Sequence, residues 1–142
     1  MDSDYHKMVM FKKYKSVWCS LDLPAAWKVE EKKDGVTITS EDNVGVLQIS
    51  AYRREGKEVT NDDLLHFAED ELVEGVELQN ITCGEFTGIG VSYLVDGSYR
   101  RKWWMWRDSL LLYVTYNCSA EQRFVEMDTV DRMMNSLKNE PF

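Results

Sequence analysis

The residues in this 142-residue chain whose types could do chemistry are two histidines, three cysteines and a long run of acids. His66 stands among Asp62, Asp63, Glu69 and Asp70, a composition that could attract a divalent cation. A metal site needs several convergent ligands, however, and one imidazole among solvated carboxylates does not supply them. His6, beside Asp2 and Asp4, is weaker still. Cys19, Cys83 and Cys118 are far apart, lack CxxC spacing and sit in apolar, strand-like contexts. They read as buried free thiols rather than as a disulfide framework. A nucleophilic cysteine also needs an adjacent base and an orienting group, and the two scattered histidines give neither. Gly84, Gly88 and Gly90 lack the spacing of a phosphate loop and have Glu85 beside them with no nearby lysine. The sequence therefore predicts a protein that is not an enzyme and has no metal or cofactor.

Binding chemistry is concentrated in Tyr99-Arg100-Arg101-Lys102-Trp103-Trp104-Met105-Trp106-Arg107. As a strand, this segment puts Tyr99, Arg101, Trp103, Met105 and Arg107 on one face and Arg100, Lys102, Trp104 and Trp106 on the other. Both faces carry aromatics and cations, where an ordinary sandwich strand would have one plainly polar face. Trp, Tyr, Met and Arg are enriched where proteins meet one another. The expectation is that Arg100, Lys102, Trp104 and Trp106 form an open partner surface. Single-stranded nucleic acid also selects basic and aromatic strands, but the net charge of −8 opposes it.

An alternative surface is acidic. Between Glu58 and Tyr99 lie ten acids and no lysine or arginine. Asp62, Asp63, Glu69, Asp70 and Glu74 fall in a helical stretch and could dock a basic partner, although charge runs more commonly solvate an exposed face.

The elements that position these residues can be read in order. Residues 1–15 are expected to be an arm or a short amphipathic helix, since Tyr5, Met8, Phe11 and Tyr14 recur at helical spacing. Ser16 to Leu23 alternates as a strand that Pro24 ends, and Trp27 folds back on the core. Gly35 to Thr39 and Val44 to Tyr52 form a strand pair. Thr60 caps a helix expected from Asn61 to Glu74, with acids in its first turn and Leu64, Leu65, Phe67, Ala68, Leu72 and Val73 as its apolar stripe. Glu77 to Phe86 is a strand. Asp96-Gly97 and Arg107-Asp108-Ser109 then divide Val91 to Cys118 into three antiparallel strands. A last helix is expected over Glu121 to Lys138, burying Phe124, Met127, Val130, Met134 and Leu137. The layout predicts one α+β domain over 16–138 with a short tail over 139–142. Its sheet is central and mostly antiparallel, with about six or seven strands packed between helices. Met1-Asp2-Ser3-Asp4 lacks a basic signal region, and the apolar runs are far shorter than the roughly 20 residues of a membrane span. The expected compartment is the cytoplasm and the expected state a monomer or homodimer.

Two short pieces carry a family resemblance. Leu21-Asp22-Leu23-Pro24-Ala25-Ala26-Trp27 resembles the I-P-x-x-W segment that opens the PsbP/Mog-like superfamily. Met134-Asn135-Ser136-Leu137 resembles the x-x-S-F end of its last helix, with Leu137 for the commoner Phe. The resemblance runs over Val17 to Lys138 and implies a mostly antiparallel sheet packed between helices. That superfamily includes photosystem extrinsic subunits, an import factor that binds the GTPase Ran, and bacterial effector chaperones. It implies binding to proteins without a common active site, so no catalytic residue is carried over. The function expected is a non-enzymatic, chaperone-like module that holds an apolar or amphipathic partner segment on its aromatic sheet face. A GTPase- or assembly-factor-type adaptor docking through the acidic helix is the alternative, and a small-molecule enzyme is a third.

Overall fold

A computed structural model describes residues 10–54, 56–72 and 74–140. Its elements are β1 (Phe11–Lys15), β2 (Cys19–Pro24), β3 (Lys28–Lys32), β4 (Gly35–Thr39), β5 (Gly45–Arg53), α1 (Asn61–Ala68), β6 (Gln79–Cys83), β7 (Phe86–Val95), β8 (Ser98–Arg107), β9 (Leu110–Ser119), α2 (Met127–Asn135) and β10 (Lys138–Asn139). Seven strands make one sheet in the order β3-β4-β5-β9-β8-β7-β6, antiparallel throughout. A three-stranded sheet, β1-β2-β10, shares no strand pairing with it among the described residues. The fold is α+β, and among the described residues no helix is long and apolar enough to cross a membrane.

The hairpins follow from local chemistry. Asp96 and Gly97 take φ of 48° and 77°, the left-handed pair that matches the twist of β7 and β8. Thr60 caps α1 by accepting the Asp63 amide, while the Asp63 carboxylate accepts the Thr60 amide. Gly84, at φ 59°, turns β6 into β7, and a Cβ there would lie 2.0 Å from the Leu137 carbonyl oxygen. That approach lets the Glu85 amide donate to Leu137 and ties the C-terminal segment to the large sheet.

Each face of the large sheet has its own cover. On one face Ile38, Leu47, Trp103, Met105, Leu112, Val114 and Tyr116 pack against Leu21 and Leu23 of β2 and Val130, Met133 and Met134 of α2. On the other, Ile89, Trp104 and Leu111 lie beneath Leu64 and Ala68 of α1, with Val59 beside them. The two pieces that carry the family resemblance meet here: Ser136 Oγ accepts the Asp22 amide at 2.7 Å, and Leu23 and Leu137 are both fully buried. Their role is to fasten α2 across β2.

Several expectations are corrected. Phe11–Lys15 is a strand, because its residues pair with Ser20 to Pro24; residues 1–9 of the expected N-terminal arm or helix, with His6, lie outside the described residues. The helix begun at Asn61 gives way at Glu69 to a single 3-10 turn, Glu69–Glu71, and Leu72 turns extended at ψ 132°. Leu72 is therefore 41% exposed and no part of the core. The last helix begins only at Met127, leaving Phe124 67% exposed in the preceding segment. The strand β3 had no apolar alternation to reveal it, being the edge strand Lys-Val-Glu-Glu-Lys.

Leu112 and Trp104 are both fully buried. Leu112→Ala should cost about 2–5 kcal/mol and Trp104→Ala about 3–5 kcal/mol in chemical denaturation. Burial also pushes the Cys19 and Cys83 thiols from an ordinary 9.0 up to about 11. The folded chain holds these protons more tightly than the unfolded chain. Their contribution to stability is thus complete below pH 9.0 and should be lost as pH rises towards 11. Denaturation midpoints across that window, and slow alkylation of the native thiols, test this point.

Candidate functional site

The second face of the large sheet is only half covered, and the uncovered half is where binding chemistry collects. Register sets it out in rows. Thr37, Gln48, Thr115 and Lys102 stand side by side on β4, β5, β9 and β8. One step along are Thr39, Val46, Asn117 and Arg100. In the opposite direction the row reads Gly35, Ser50, Tyr113 and Trp104, and there α1 closes over the sheet. The result is an open cleft of about 600 Å³. Its floor is Thr37, Gln48, Ser50, Thr115 and Asn117, and its charges are Lys32, Lys33, Asp34, Glu71, Arg100 and Lys102.

Glu71 marks the boundary between the dry and wet halves. The 3-10 turn after α1 swings its carboxylate down, where Oε1 accepts the Tyr113 hydroxyl at 2.6 Å and Lys102 Nζ at 3.2 Å. Burial, followed by the Glu71 carboxylate, raises the Tyr113 phenol above its ordinary 10.0. The Tyr113 ring stacks on Trp104, centroids 5.5 Å apart and planes 21° from parallel. Lys102 Nζ also lies 5.9 Å from the centre of the Tyr93 ring.

The four residues expected to form a partner surface do share one face, but their environments divide along β8. Arg100 is exposed and Lys102 half-buried, and both line the cleft. Trp104 is fully buried under α1, so an open aromatic surface there is corrected: the helix needs an apolar floor and Trp104 supplies it. Trp106 is half-buried, its indole N–H donating to Asn61 Oδ1 at 3.1 Å. Of the acidic set, Asp62, Glu69, Asp70 and Glu74 are exposed. Glu69 faces His66 at 3.6 Å. Asp63 is occupied by the Thr60 amide and by Arg54, which together hold its carboxyl below the usual range. Among the described residues, no three of His, Cys, Asp and Glu gather as a metal site would require.

Sequence reasoning missed Lys32, Lys33, Gln48, Glu71, Tyr113, Thr115 and Asn117 as lining residues. A signal was present: Gln48-x-Ser50 and Thr115-x-Asn117 put polar groups at every second position of strands whose other positions are apolar.

No family model matches the chain, and no curated protein matches it. Solved structures do. A crystal structure from Bacteroides thetaiotaomicron superposes with a TM-score of 0.65 at 15% identity, covering 92% of this chain and 48% of that one. The present chain thus spans about half the length of that protein. The cyanobacterial PsbP of Synechocystis (CyanoP) gives 0.63 at 11% identity, covering 94% of each chain. LpqN, involved in cell envelope biogenesis of Mycobacterium tuberculosis, gives 0.53 at 14% identity, covering 98% of this chain and 96% of that one. The fold is PsbP-like. At such identities the likeness is one of architecture.

Removing the Glu71 contacts should be felt locally. Tyr113→Phe should cost about 1.5–3 kcal/mol in urea denaturation, the range of a hydrogen bond to a charged partner. The Tyr113 contribution should be intact below pH 10.0 and fall above it, where the unfolded phenol ionises before the folded one.

Proposed function

We propose that this chain is a non-enzymatic protein-binding module, built on one domain from Phe11 to Glu140, that seats a partner segment in the cleft beside Arg100 and Lys102. The observation that carries the reading is the half-bare sheet face. A seven-stranded sheet whose other side carries the main core leaves polar side chains of four adjacent strands open, in register and walled by the turn at Glu71. Groups held on central strands lose little freedom on binding, so contact energy is not spent on ordering them. An apolar client is disfavoured by the floor, whose Thr37, Gln48, Thr115 and Asn117 would lose water without gaining partners. A chaperone-like role thus fits a polar or amphipathic segment better than a greasy one. Three free, buried cysteines support the cytoplasmic placement.

A second reading keeps the acidic helix as the docking surface. It is favoured by Asp62 and Asp70, exposed beside Leu65 and Leu72, which are 43% and 41% exposed.

Co-purification of a tagged chain from its own host separates the two. Arg100→Glu should weaken partner binding by about 2 kcal/mol or more, as at an interface hot spot. Gln48→Trp, which fills the cleft floor, should also release the partner while the circular dichroism stays native. A partner kept by both variants and lost from Asp62→Lys with Asp70→Lys would move the function to the helix.

A further inference from the structure

We infer that the segment taken by the cleft is acidic and extended, and that Glu71 occupies the seat of one of its carboxylates; this rests on the protein-binding reading. The chain as a whole carries −8, yet the cleft gathers four cations, Lys32, Lys33, Arg100 and Lys102, against two carboxylates, Asp34 and Glu71. Lys32 is engaged by Glu30 at 2.9 Å and Lys102 by Glu71 at 3.2 Å. Arg100 and Lys33 have no ion-pair partner among the described residues. Two unpaired cations facing one hollow, in a protein otherwise rich in acid, are complementary to anions and repel the chain's own kind.

The spacing selects a polypeptide over a compact anion. Arg100 lies on β8 and Lys33 at the turn between β3 and β4, with β5 and β9 intervening. Three strand spacings separate β4 from β8, and Arg100 is level with Thr39, four residues along β4 from Gly35, so the two ends of the cleft lie roughly 20 Å apart, which an extended chain of about six residues crosses. A phosphate could reach one wall only and would meet Asp34 or Glu71 there. Carboxylates spread along a segment reach both walls, and its backbone can bond to the hydroxyls and amides of the floor. The cleft lining contains one aromatic residue, Tyr113, whose ring is already stacked on Trp104. Successive bases of a nucleic acid would find no platform.

Glu71 shows the recognition in miniature. Its carboxylate receives a phenol hydroxyl and an ammonium at one oxygen, on a side chain still 36% exposed at the cleft wall. An incoming Glu or Asp can take the same two donors if that turn yields, or bind beside it to Arg100 and Lys33. In either case Glu71 opposes the ligand by its charge.

Fluorescence anisotropy with a labelled hexapeptide alternating Glu and Val, and with its Gln counterpart, tests this at low salt. The Glu peptide should bind saturably, and raising the salt to about 0.15 M should weaken it severalfold. Arg100→Ala and Lys33→Ala, both at exposed positions, should each weaken it by about five- to tenfold. Glu71→Gln, which keeps an acceptor for Tyr113, should tighten it. Equal affinity for the Gln peptide, no effect of Arg100→Ala, or tighter binding of a single-stranded oligonucleotide would each overturn the inference, as would failure of the Glu71→Gln protein to bind the Glu peptide. If the native partner is still lost from Arg100→Glu and Gln48→Trp in those cases, the cleft remains the binding site and only the acidic character of its occupant is wrong.

Discussion

The stack of Trp104 on Tyr113 under α1 is the contact on which the division of the sheet depends. Trp104 is fully buried and gives the helix an apolar floor. Tyr113, next to it on β9, turns its ring to the tryptophan and its hydroxyl to Glu71. One residue is thus apolar towards the helix and polar towards the cleft. A helix can cover only about 10 Å of sheet width, roughly two strand spacings. With seven strands to cover, α1 must leave part of the face bare, and the bare part has to be polar. The cleft is a consequence of one short helix on a wide sheet.

The same constraint explains what could be read in the sequence. Alternation along β8 assigned every side chain from Tyr99 to Arg107 to its correct face, because that needs only the two-residue repeat of a strand. It could not tell that the face containing Arg100, Lys102, Trp104 and Trp106 is divided halfway along. That division is made by α1, some 40 residues earlier in the chain, and by where the helix ends. The mixture of cations and tryptophans that looked anomalous for one face is two ordinary environments in succession. The Thr60 cap and the Asp96-Gly97 turn were legible because their chemistry is local. The end of the helix was not: Leu72 continues the apolar periodicity, yet its backbone leaves the helix.

Other misreadings share that cause. Phe124 stands three residues before Met127, a helical spacing, yet the chain from Ala120 to Glu126 takes a different path. Glu126 is buried and accepts the Tyr116 hydroxyl at 2.7 Å, which anchors the segment just ahead of α2. A buried carboxylate in a helical-looking stretch cannot be recognised from periodicity, since its partner is on a strand. The lysines of the cleft were invisible for a related reason. Lys32 and Lys33 belong to a charged edge hairpin, and only the β3-β4-β5-β9-β8 order brings it round to face Arg100.

Acids and cations are thereby sorted by support as well as by sign. Asp62, Asp70 and Glu74 project from a short helix and its sequel into water. There a charge is screened within about 8 Å at physiological salt, and ordering its side chain offsets much of any gain. Arg100 and Lys102 rise from a central strand paired on both sides, over a floor of lower dielectric than water, and Lys102 keeps only 13% of its side-chain surface exposed. A charge so held interacts more strongly with an incoming opposite charge and gives up less freedom on contact. The helix acids are the more numerous, but the cleft cations are better placed to convert contact into affinity.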